Sequence, residues 1–271
     1  MSRLAAPGKP GESRQDRGSG ASRGPRRLLR RSARRRPAGR PVTGRFSIPD
    51  ISKDPYRQSS LDPPSWRGRK HAAMVLPAVA GGIWLIVVTP GVGTRAVIAL
   101  YAASLVGMFT VSAAFHLRRW SDVEWLRMRR WDHSAIYALI AGSYGAIMGL
   151  GVPGWPRTWL VGFAVGLCAL GIAVRWLVLY PPFRVMTTLF LVTGGMSMIA
   201  ISWILEGLGV VGTIVVLVGC LFYGVGALAL GLRRPNPWPG HFGYHEVWHL
   251  NVIAGAGCQF WVVACVVVPS L

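Results

Sequence analysis

Seven stretches of the chain contain no Lys, Arg, Asp or Glu: 72–94, 96–115, 133–156, 158–174, 185–205, 207–232 and 247–271. Apolar residues run through them without the strict alternation of a half-buried strand. Segments hydrophobic on every side predict helices in hydrocarbon, where each backbone group must bond within its own segment. Crossing a bilayer core of about 30 Å takes roughly 20 such residues. All but the fourth stretch reach that length, and the fourth continues beyond Arg175 into Trp176-Leu177-Val178-Leu179. Arg175 is expected to snorkel to the nearby interface. The pattern predicts an all-α polytopic membrane protein, a seven-helix transmembrane bundle. Trp120, Trp125, Trp131, Trp155, Trp159, Trp203 and Trp238 fall at or near stretch ends, where amphipathic rings prefer the headgroup layer.

Charge then divides the chain in two. Its 271 residues are 52% hydrophobic yet carry a formal charge of +20. Residues 1–70 hold 19 of the 30 Lys and Arg, a net charge of +14. This excludes a disulfide-stapled secreted module, a coiled coil and an ordinary water-soluble domain. Residues 1–65, rich in Arg, Pro, Gly and Ser, bury too little apolar surface to offset chain entropy. They are expected to form a disordered cytoplasmic tail, ahead of a transmembrane domain over 66–271. The arginine cluster at 26–36 suits anionic lipid, at about 1 kcal/mol per near-surface charge; specific nucleic-acid recognition is not expected. No apolar run follows these arginines until about residue 72, too far for a secretory signal.

Loop charges set an orientation. Arg118, Arg119, Arg127, Arg129, Arg130, Arg175, Arg184, Arg233 and Arg234 lie on one side of the predicted bundle; Arg95 and Arg157 lie on the other. The N-terminus is expected in the cytoplasm and the C-terminus outside a plasma membrane. Cys168, Cys220, Cys258 and Cys265 sit in apolar runs with no C-x-x-C pair, and read as small hydrophobes.

Polar groups beside hydrocarbon need a reason. Ser112 and His116 are four residues apart at the end of the second stretch, and His245 and His249 are four apart at the start of the last. On a helix each pair shares one face. The expected topology puts His116, Asp132, His245 and His249 at one depth in the cytoplasmic leaflet, with Ser112 one turn deeper. Three imidazoles suit a tetrahedral Zn²⁺ with one position left for water or substrate. Asp132 could bind the metal or hold its water, and Ser112 could hydrogen-bond that water or a substrate oxygen. Zinc lowers the pKa of bound water toward about 7, so the chemistry inferred is hydrolysis of an amide or ester arriving from the bilayer. His133 faces away from Asp132, His71 reads as interfacial, and His241 lies too close to Pro239-Gly240 to be a good ligand. His245-Glu246-Val247-Trp248-His249 also fits H-E-x-x-H, in which Glu246 would serve as the general base of a metalloprotease. Glu246 could equally pair with a basic loop residue or cap the helix start.

Three ordered blocks carry a family resemblance. They are Ser112-x-x-x-His116; Arg130-Trp131-Asp132-His133-Ser134-Ala135-Ile136-Tyr137, running into Ile140-Ala141-Gly142-Ser143-Tyr144; and Phe242 to His249. With Trp66-Arg67-Gly68 and His71, they resemble the haemolysin III branch of the progestin and adipoQ receptor family over about residues 65–268. The resemblance implies seven helices, a cytoplasmic N-terminus, and zinc held by His116, His245 and His249 with Asp132 and Ser112 beside its water. The wider superfamily includes alkaline ceramidases, which implies hydrolysis of lipid amides. Ser143-Tyr144-Gly145-Ala146 departs from the Thr-Tyr-Thr-Pro common in the family and removes an expected kink. The haemolysin name implies instead a lytic or pore-forming protein. A receptor-like sensor with structural zinc is a third class that needs the same ligands.

Overall fold

The computed structural model describes Arg57 and residues 62–178 and 183–271. The expected tail lies outside these residues, apart from Arg57 and the last residues before Trp66. The described chain is all-helical: α1 (Arg69–Val88), α2 (Val92–Leu117), α3 (Asp122–Gly151), α4 (Pro156–Leu177), α5 (Phe183–Ile199), α6 (Ile201–Leu232) and α7 (Tyr244–Val262). A π turn and a 3₁₀ turn extend α7 to Ser270. No strand occurs among the described residues. Helices α1 to α4, α6, and α7 with its extension are long and apolar enough to cross a membrane. Helix α5 has 17 residues, which is short for a crossing.

Local chemistry explains the helix ends. Helices α1 and α2 are joined by Thr89-Pro90-Gly91, and Arg95 closes the turn by donating to the Thr89 carbonyl at 3.0 and 3.2 Å. Helix α3 starts ten residues ahead of Asp132 because Ser121 and Glu124 form a capping box, with Ser121 N–H donating to Glu124 Oε2 at 3.1 Å. Pro156 opens α4 at the position where a missing N–H does no harm. Gly209 interrupts α6 with φ 65° and ψ −178°, a conformation only glycine adopts readily.

Small residues let the helices approach. A Cβ on Gly219 would meet Cys258 at 3.1 Å, and one on Gly255 would lie 2.8 Å from the Tyr223 ring, so α6 and α7 pack closely. Tyr144 Oη donates to the Thr193 carbonyl at 2.7 Å, and Tyr137 stacks on Phe190, which ties α5 to α3.

Two residues expected at the membrane interface are covered by protein. Trp125 is only 2% exposed. It packs against Phe115, and Arg57 and Arg129 lie over its ring at 5.5 and 5.2 Å. Arg175 is buried within the bundle, and its charge faces Asp132 and His133.

Candidate metal centre

His116 stands in the last turn of α2, and His245 and His249 stand in the first two turns of α7. The fold brings their side chains together. Their ligating nitrogens all lie within 4.8 Å of one another, so the group could hold a metal ion. His116 Nε2 and His245 Nε2 are 3.4 Å apart. The edge of a tetrahedron with metal–nitrogen bonds of 2.0–2.1 Å is about 3.3 Å, so this pair already stands at ligand spacing. The ring centroids of the three residues are 4.7 to 4.9 Å apart. His245 and His249 are buried, while His116 is half-buried.

Ser112, one turn before His116 on α2, and Asp132 on α3 are both buried. The Ser112 hydroxyl hydrogen-bonds the Asp132 carboxylate, and Arg175 and Arg129 turn positive charge toward that carboxylate. Asp132 is not one of the group within 4.8 Å. The other histidines part ways. His133 Nδ1 pairs with the Arg129 carbonyl at 2.8 Å. His241 sits in the turn before α7, its N–H donating to the Trp238 carbonyl.

His71 is covered by protein and not exposed at the membrane entry. It is 2% exposed and lies flat on His249, with ring centroids 4.0 Å apart and planes 13° apart. Nothing in its spacing signals this, because the partners are far apart in sequence. The nearby signal is Gly68, whose φ is +76° and whose added Cβ would meet His116 Cβ at 2.8 Å.

Glu246, the acid of the H-E-x-x-H string, is 1% exposed and committed elsewhere. Its Oε1 takes a close hydrogen bond from Arg67 Nε, and its Oε2 accepts the Gly243 N–H at 2.8 Å. It is an ion-pair partner and a helix cap, the second of the roles its sequence position allowed.

A cavity of ≈240 Å³ opens among α2, α3, α5, α6 and α7. Met108, Ser143, Tyr144, Tyr223, Trp248 and Val252 are among its lining residues. Trp248 and Val252 are neighbours of His249 along α7, while His116, His245, His249, Ser112 and Asp132 are not among the lining residues.

An all-helical multi-pass membrane protein with three converging histidines at one end of the bundle is the class these features define. Residues 60–260 match the family described as haemolysin-III related. The chain belongs to that family, the haemolysin III branch of the progestin and adipoQ receptors. It is 30% identical to Hemolysin-3 of Bacillus cereus over 172 residues, covering 63% of this chain and 75% of that protein. It is 32% identical to the Hemolysin-3 homolog of Bacillus subtilis (strain 168) over 147 residues, covering 52% of this chain and 64% of that one.

Proposed function

We propose that this chain is a zinc-dependent hydrolase that cleaves amide or ester bonds of lipids within the bilayer. The observation that carries the reading is three histidine nitrogens within 4.8 Å of one another, one pair of them at tetrahedral spacing, with a buried Ser112–Asp132 pair outside the ligand group. Three protein ligands leave one position for water or substrate, as in catalytic zinc sites. When bound, the ion would supply acidification of water and polarisation of a carbonyl. Asp132 takes a proton from the attacking water as its oxygen adds to the carbonyl carbon. Ser112 holds the carboxylate in place through its hydroxyl. The C–N or C–O bond then breaks, and Asp132 returns the proton to the departing amine or alcohol. The apolar cavity within the helix bundle suits an acyl chain.

Membrane placement follows the same reading. Helix α5 runs alongside α3, Gly207 approaches Gly151 at the far end of α3, and the break comes at Gly209. Residues 183–208 then make one crossing and 210–232 the return, for seven in all. The positive loops put the N-terminus and the metal centre on the cytoplasmic side of a plasma membrane, with the basic tail near anionic lipid.

The test is turnover of a panel of N-acyl and O-acyl lipids by purified protein in mixed micelles, before and after chelation and zinc return. Hydrolysis that stops with the chelator and resumes with zinc is expected. A second reading, lysis, is favoured by the names of the two Bacillus relatives. Dye release from liposomes that ignores both chelator and His116→Ala would support it instead.

A further inference from the structure

We infer that the turn leading into α1 is a wall of the metal centre, in which His71 is a positioning residue that sets the ring plane of His249. The inference rests on the metal reading proposed above and adds a residue to it.

The turn is fastened to the α6–α7 loop and to α7. Ser65 N–H donates to the Gly240 carbonyl at 3.1 Å, and Trp66 N–H donates to the His241 carbonyl at 3.3 Å. Arg67 then bonds Glu246, one residue beyond His245. Lys70 Nζ lies 3.5 Å from the centroid of the Phe242 ring. Gly68 follows Arg67 and touches down on His116, where the space for a side chain is missing. One turn later, His71 reaches His249.

His71 is itself held from the other side. Phe109 meets it edge-on, with centroids 5.3 Å apart and planes at 70°. The sandwich of Phe109, His71 and His249 thus spans α2, α1 and α7. A histidine ligand must present its nitrogen along the metal bond, and rotation about its side-chain torsions spoils that alignment. In many metal sites a hydrogen bond from the second ring nitrogen fixes the ring. Here a flat neighbour does so by stacking, the arrangement that aromatic rings favour when offset. Ligation also draws charge from the His249 ring, which improves its attraction to the π face of a neutral neighbour.

Removal of such an outer partner lowers metal affinity about 10–100-fold. The experiment titrates the full-length protein in detergent with Co²⁺, whose visible absorption reports coordination geometry. His71→Ala is expected to bind cobalt about 10–100-fold more weakly than wild type, with an altered visible band. His71→Phe keeps a flat ring and is expected to restore both toward wild type. His71→Leu fills the volume without a π face and serves where His71→Ala does not fold. A folded His71→Ala or His71→Leu protein with wild-type affinity and spectrum overturns the inference, as does a folded His71→Phe protein no better than His71→Ala. Cobalt binding that survives His245→Ala/His249→Ala overturns the metal reading itself, whatever the His71 variants do.

Discussion

Arg67→Ala is expected to destabilise the folded protein by about 3–5 kcal/mol, because it strands Glu246 as a buried charge. Arg67 and Glu246 are 8% and 1% exposed, so water cannot take over from the lost partner. The cost arises from the uncompensated carboxylate and not from the net worth of the pair. Replacing both residues by leucine should therefore recover most of the loss. It should not recover all of it, since Glu246 also caps α7 through Gly243, and loss of a cap costs about 0.5–2 kcal/mol. Thermal unfolding in detergent of wild type, Arg67→Ala and Arg67→Leu/Glu246→Leu gives the order wild type, double variant, single variant. Equal stability of the wild type and Arg67→Ala would show that the ion pair is not a clamp.

Asp132→Ala should retain the metal and lose hydrolysis. The three nitrogens gather within 4.8 Å of one another without Asp132, so stoichiometry of bound zinc should match wild type. Removing a positioned proton acceptor lowers turnover by about 10²–10⁴-fold. Ser112→Ala should act in the same direction and more weakly, because it frees the carboxylate that Ser112 hydrogen-bonds without removing it. Metal loss in Asp132→Ala would instead make Asp132 a ligand and the centre a closed, structural one.

Much of this arrangement is legible in the chain. Six of the seven charge-free stretches coincide with helices long and apolar enough to cross a membrane, because a charge in hydrocarbon is costly; the stretch 185–205 is instead divided between α5 and the start of α6. Two i, i+4 pairs show which faces carry histidine because helical periodicity is local. What those patterns miss is tertiary or is hidden by the charges themselves. Helix α3 begins at Asp122, well before its apolar stretch, since a charged segment still propagates a helix once capped. The signal was present as Ser121-Asp122-Val123-Glu124. Trp125 reads as interfacial because an indole suits headgroups, yet Phe115 and two guanidinium groups cover it. Arg175 reads as a snorkelling residue because periodicity does not tell which face of α4 meets Asp132. His71 reads as interfacial because its neighbours are charged, whereas the backbone ties of residues 65 and 66 carry it inward onto His249.

The most direct test of the account is the metal content of the purified full-length protein, measured by mass spectrometry beside His245→Ala/His249→Ala. About one zinc per chain in wild type, and none in the folded double variant, is the result the convergence of His116, His245 and His249 predicts. Folded wild type that holds no zinc after loading, or a double variant that keeps it, would contradict the account.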